Sequence, residues 1–184
     1  MMRWRRLDLP GFDEARLQRE PESWYLKGHA EFVEDGTRWE LGYTATCGPD
    51  WVTTGAVVKG HSGRGAIEAN LVRSGSGEWT LNGAAVPAVA GCSDVDLAFT
   101  PATNLLSIRR LDLTVGQQTE VVAAWLTFPE FSLTPLRQRY RRISQTTYDY
   151  AAPELAFAGI LTVNPEGFVL DYAGLWRADL PPTE

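Results

Sequence analysis

The chain is poor in the side chains that most often carry metal or nucleophilic chemistry. It holds two histidines and two cysteines in 184 residues. Cys47 and Cys92 form no Cys-x-x-Cys pair, and neither His29 nor His61 stands at metal-ligand spacing to them. The common zinc plans are therefore excluded, and no metal and no cofactor is implied. Long apolar runs are also missing. Val121 to Leu126 and Leu155 to Val163 are the greasiest stretches, far short of a bilayer span. The start, Met1-Met2-Arg3-Trp4-Arg5-Arg6, is basic, but Asp8, Pro10 and Asp13 follow where a signal peptide would place its apolar core. The cysteines then read as buried thiols and the protein as cytoplasmic. Basic excess is absent too. There are 17 Lys and Arg against 23 Asp and Glu, a net charge of −6, which disfavours nucleic acid as a partner. Repeats and linker-like tracts are lacking, so 1–184 reads as a single domain.

What remains is apolar and aromatic. Hydrophobic residues make up 44% of the chain and seven are tryptophan, enough to build a core rather than a disordered coil. Their pattern has period two. Trp24, Leu26, Gly28, Ala30 and Phe32 alternate with Tyr25, Lys27, His29, Glu31 and Val33, as in a half-buried strand. Asp35-Gly36 is a hairpin signal, after which Trp39, Leu41 and Tyr43 resume the alternation. Val52 to Lys59 and Ala66 to Arg73 read as a second pair across a Gly60-to-Gly65 turn, and Asn82-Gly83 turns again. Thr119 to Phe128, Gln138 to Ser144, Thr146 to Tyr150, Leu155 to Val163 and Phe168 to Tyr172 continue the series. One helix is predicted over Ala102 to Arg110, with Thr100 as N-cap and Pro101 in the first turn. The charged Asp13 to Glu20 segment is a weaker helix candidate. The predicted fold is mainly β, a large curved antiparallel sheet with one short helix packed against it.

The densest polar feature is Gly91-Cys92-Ser93-Asp94-Val95-Asp96-Leu97-Ala98-Phe99-Thr100. On a strand Asp94 and Asp96 share one face, roughly 7 Å apart. Arg109 and Arg110 could reach back to them. The arrangement suits a site that accepts hydroxyl hydrogen bonds, as sugar sites do, and equally suits surface carboxylates or a structural Asp–Arg pair. Neighbours on one strand project in parallel, so a glycosidase would need a further acid such as Asp149 or Asp171 facing them. Tyr148 and Tyr150 alternate with Thr147 and Asp149, and Asp171-Tyr172 with Trp176 repeats the mixture of ring and carboxylate. Arg137, Arg139 and Arg141 line one strand face, either for an acidic group or as a solvated face that discourages aggregation. Gly60-His61-Ser62-Gly63-Arg64-Gly65 fails as a nucleophile elbow, because Arg64 stands where glycine is needed.

Several of these segments together resemble the bacterial glycolipid-binding family, long known only as a domain of unknown function. The block from Asp94-Val95-Asp96-Leu97 through Thr100-Pro101-Ala102-Thr103-Asn104 to Ile108-Arg109-Arg110-Leu111 carries most of it. Gly11 to Leu17, Tyr43 to Cys47, Asp50-Trp51, Gln138 with Tyr140, Tyr148, and Asp171-Tyr172 with Gly174 and Trp176-Arg177 support it. The chain departs from the family pattern at Ser107, where a proline is usual, and at Asp149 and Ala151, where arginine and glutamate are usual. The resemblance implies a curved sheet around a helix, a homodimer, and a fold remotely similar to the lipoprotein localisation factors, which hold acyl chains inside a half-barrel. It also implies an acidic pocket for a sugar or lipid headgroup. Asp94, Asp96, Arg109, Arg110 and Tyr148 become the pocket candidates, with Asp149, Asp171, Tyr172 and Trp176 behind them. Three functions follow: non-enzymatic binding of a glycolipid or similar amphiphile, hydrolysis or transfer on a sugar conjugate, or a dimeric structural role without small ligand. No catalytic residue is assigned.

Overall fold

The structure, a computed structural model, describes residues 1–179. The first half holds β1 (Met2–Arg6), β2 (Gly11–Glu20), β3 (Ser23–Glu34), β4 (Thr37–Cys47), β5 (Thr53–Ser62), β6 (Gly65–Arg73), β7 (Trp79–Leu81) and β8 (Ala84–Ala85). Next come β9 (Asp94–Leu97) and the helix α1 (Asn104–Leu111). The second half holds β10 (Gln118–Leu126), β11 (Leu133–Ser144), β12 (Thr147–Ala152), β13 (Phe157–Val163), β14 (Val169–Tyr172) and β15 (Trp176–Ala178).

All fifteen strands belong to one sheet, ordered β8-β7-β6-β5-β4-β3-β2-β1-β15-β14-β13-β12-β11-β10-β9. Two antiparallel meanders are thus joined where the first strand pairs with the last, Trp4 opposite Ala178. The sheet is open and curved, with β8 and β9 as its edges. One pairing is parallel, between β9 and β10. The curvature carries the β9 edge back to the other half of the sheet. There the Thr53 amide donates to the Ser93 carbonyl at 2.9 Å, and the Val95 amide donates to Thr53 Oγ1 at 3.2 Å. No helix among the described residues is long and apolar enough to cross a membrane.

Alternation builds the concave face. On β4 the residues Trp39, Leu41, Tyr43, Ala45 and Cys47 are buried while Arg38, Glu40 and Thr44 point outward. Gly28 on β3 permits this packing, since a Cβ there would overlap the Tyr43 ring. Asp35 and Gly36 both take positive φ, 48° and 71°, as a two-residue hairpin turn requires. Helix α1 buries Leu105, Leu106 and Ile108 against this face, beside Phe99 and Leu97.

The structure corrects three local expectations. Asp13 to Glu20 is not helical but lies within β2, paired with β3 along its whole length. The helix begins at Asn104, after a turn through Pro101–Thr103, and Thr103 is its N-cap residue. The Thr100 hydroxyl is engaged elsewhere: it accepts from the Ala102 amide at 2.9 Å and donates to Asp13 at 2.5 Å. The β5–β6 turn is only Gly63-Arg64, because Gly60, His61 and Ser62 still pair with the neighbouring strands.

Candidate functional site

Helix α1 has a different hollow at each end. At its start the floor comes from β9. Asp94 and Asp96 lie opposite Ala123 and Trp125 of β10. Asp94 is fully buried, and Arg110 grips it with both Nε and Nη2 at 2.6 Å. That bidentate pair neutralises the carboxylate. Asp96 has no cation. It accepts a hydrogen bond from Gln138 Nε2 at 2.5 Å, and burial pushes its carboxyl up to about 6 against the lowering effect of Gln138 and Thr103. The negative charge of Asp94 pushes the same way as burial. Asp96 opens onto a hollow of about 100 Å³ lined by Asn104, Trp125, Tyr150, Tyr172 and Trp176. A hollow of that size has room for roughly three waters.

At the other end of α1 lies an open cleft of about 590 Å³. Trp51, Arg109, Arg142, Tyr148 and Gly167 shape it. Trp51 sits in the β4–β5 turn with φ +67°, where its amide donates to the Gly48 carbonyl at 3.0 Å. A bulky residue in this left-handed conformation costs on the order of 1 kcal/mol. The cost is offset by stacking: the Trp51 ring lies on Trp24 with centroids 4.5 Å apart and planes 19° from parallel. Two guanidinium groups extend the stack, Arg19 over Trp24 at 5.3 Å and Arg109 over Trp51 at 5.0 Å. The Arg109 stem passes Gly167, whose φ is +96°. Across the cleft Arg142 is pinned by the carbonyls of Leu113, Ser144 and Gln145 at 2.7, 3.2 and 2.8 Å, and lies 5.6 Å over Tyr148.

The nine predicted site residues therefore do not converge. Arg109 and Tyr148 share the large cleft. Asp96, Tyr172 and Trp176 share the small one. Arg110, held by Asp94, borders a third hollow beside Ser93 and Val121. Asp149 pairs with Arg139 at 3.3 Å and Asp171 with Arg177 at 3.2 Å, both partly exposed and lining none of these hollows. The Arg137, Arg139 and Arg141 face is outward, and Arg137 holds Glu154 at 2.7 Å. Both histidines lie on the outer face: His29 meets Glu31, which also holds Arg38, and His61 meets Glu40. The three groups His29, Glu31 and Glu40 come within 4.8 Å of one another, a proximity that spacing to the cysteines could not reveal. Cys47 and Cys92 are free and buried, and burial pushes the Cys47 thiol up to about 12.

Two features escaped the sequence reading. Trp51 and Arg142 were not candidates, although a tryptophan in a Gly-Pro-Asp turn has no strand face to bury it and must find a partner elsewhere. Asp13 was the other. It is fully buried, receives Tyr43 and Thr100 hydroxyls, and burial pushes its carboxyl up to about 7. Its signal was its phase, two residues before Ala15 on the inward side of β2.

The architecture defines a class of mainly β proteins in which a large open antiparallel sheet curves around one helix. Within that class, the chain belongs to the family described as "Putative glycolipid-binding", whose model matches residues 1–178. Among solved structures it is similar to a DUF1089 family protein from Pseudomonas aeruginosa. The identity is 31% and the TM-score 0.79, covering 90% of this chain and 91% of that one. No functionally curated protein matches the chain.

Proposed function

We propose that this chain binds a glycolipid or similar amphiphile without chemical turnover, with a role in bacterial glycolipid or envelope metabolism. The cleft at the C-terminal end of α1 is the headgroup site. The observation that carries this reading is the Trp24–Trp51 stack beside an open cleft of about 590 Å³, a size typical of small-molecule sites. The edge of the stacked Trp51 ring and Tyr148 give the cleft an apolar wall for the C–H groups of a sugar, while Arg109, Gln145 and Asn164 offer donors at the rim. The concave face of the sheet is filled by Trp4, Phe99, Leu105 and Leu106, so the acyl part lies outside the half-barrel rather than within it. Asp96 is the only carboxylate lining its small hollow, and Asp94 is held by Arg110. Two carboxylates flanking a glycosidic bond, which hydrolysis requires, are not assembled there.

Titration with octyl β-D-glucoside below its micellar concentration, followed by tryptophan fluorescence, tests the site. Saturable quenching that weakens tenfold or more in Trp51→Ala is expected. A response unchanged in Trp51→Ala would move the headgroup elsewhere, and no saturable response together with no co-purifying glycolipid would end the reading.

A further inference from the structure

We infer that the headgroup taken by this cleft is anionic, carrying a phosphate, sulfate or carboxylate that Arg109 and Arg142 receive together. This rests on the glycolipid-binding reading of the cleft and goes further by fixing the charge of the ligand.

The inference starts from adjacent arginines with opposite fates. Arg110 is neutralised by Asp94 through two 2.6 Å hydrogen bonds. Arg109, one residue earlier, turns to the other side of α1 and pairs with no carboxylate among the described residues. Its Nε is buried and has no hydrogen-bond partner. Arg6 and Arg139 also carry a buried nitrogen of this kind, but each already holds a carboxylate, Asp8 and Asp149, through other atoms. Arg109 alone of the three keeps an unspent charge. Arg142, on the facing wall, spends its donors on backbone carbonyls, which fix its position without cancelling its charge. It too pairs with no carboxylate among the described residues. Among the described residues Asp112 is the one acid lining the cleft, and it is exposed at the helix end. Two fixed guanidinium groups against one exposed carboxylate leave the cleft positive in a chain of net charge −6. The helix C-terminus adds partial negative charge there, which draws Arg109 toward it but does not pair it. Arg109, stacked on Trp51, keeps its N–H edge free for a planar anion, while Arg142, whose donors mostly face carbonyls, adds charge from the opposite wall. A sugar bearing an acid group answers both features, its C–H groups against the Trp51 edge and Tyr148 and its anion between the arginines.

The test uses two probes that differ only at C6: octyl β-D-glucoside, neutral, and octyl β-D-glucuronide, anionic. Inorganic phosphate is the third. The glucuronide is expected to bind at least tenfold tighter than the glucoside at low salt. The advantage should shrink at 500 mM NaCl, as screening demands, and vanish in Arg109→Gln while Arg109→Lys restores part of it. Equal binding of the two glycosides overturns the anionic inference and leaves the glycolipid reading standing. Arg109-dependent binding of phosphate with neither glycoside bound supports the anion site and overturns the lipid as its source. No binding of any probe overturns both.

Discussion

The two ends of helix α1 solve opposite electrostatic problems with the same materials. At the start, a carboxylate and aromatic rings enclose a hollow of about 100 Å³. At the end, guanidinium groups and aromatic rings border an open one of about 590 Å³. The start is the smaller of the two, and its carboxylate is largely withdrawn from water. Asp96 is held by Gln138 and pushed toward its neutral form, while Asp94 beside it on β9 is cancelled by Arg110, which reaches it from the last turn of the helix. The end is the larger, and its two cations are held apart. Arg109 is spread over Trp51 and Arg142 is held back by backbone carbonyls. A pair that satisfies itself builds structure, whereas a charge held apart from its complement leaves room for a ligand.

The sharpest way to break this contrast is to unpair the buried carboxylate. Arg110→Ala leaves Asp94 buried and unpaired, which costs about 3–5 kcal/mol. Chemical denaturation should show that loss. A loss under 1 kcal/mol would mean that Asp94 is not buried as a charge. Replacing both partners, Asp94→Leu with Arg110→Met, should recover most of the stability, because two matched apolar groups avoid the desolvation cost.

The next effect separates buried from exposed acids by pH. Burial pushes Asp13 up to about 7 and Asp96 up to about 6 when folded, both above the ordinary carboxylate value of 3.8. Each binds its proton more tightly folded than unfolded. The stability they contribute is complete below about pH 4 and is lost as pH rises through 6 to 7. Asp13→Asn keeps an acceptor for Tyr43 and Thr100 and removes the ionisation. Its stability relative to wild type should therefore climb from pH 4 to pH 8, by an amount on the order of 4 kcal/mol. A difference that stays flat with pH would show that Asp13 does not titrate in this range.

Much of the sheet could be read from the chain, because strands such as β3 and β4 put apolar and polar residues on opposite faces. The same rule explains what was missed. In β2 the inward series Asp13, Ala15 and Leu17 is masked by Glu14, Arg16, Gln18, Arg19 and Glu20, so the alternation carries no apolar signal. Pairing of β1 with β15 and the parallel run of β9 beside β10 join residues far apart in sequence, and no local pattern specifies them. The site divided along the same line. Asp96, Tyr172 and Trp176 announce themselves by residue type, and the bland option of a structural Asp–Arg pair is what Asp94 and Arg110 form. The Arg19–Trp24–Trp51–Arg109 stack draws on β2, β3, a turn and α1, and exists only because the sheet curves far enough to bring them together.

At the large cleft, stability and binding should come apart. Trp51→Ala loses the stack and keeps the left-handed backbone, so its stability should fall by about 1–2 kcal/mol while its affinity for octyl β-D-glucoside falls tenfold or more. A stability loss of several kcal/mol would recast the stack as core.

The smallest expected effect discriminates most cleanly between the cleft and the outer face. Asp149 was a candidate by its place between Tyr148 and Tyr150, yet alternation turns it outward to Arg139, with side chains 33% and 37% exposed. A pair so exposed is screened by water, and holding two side chains together costs entropy. Asp149→Asn should then shift stability by no more than about 0.5 kcal/mol and leave the glycoside titration unchanged. Its neighbour on the strand should behave differently. Tyr148→Ala removes the ring beneath Arg142 and a wall of the cleft, so binding should weaken. If Asp149→Asn abolished binding and Tyr148→Ala did not, the ligand would sit on the convex side, and the charge difference between the two ends of α1 would concern folding alone.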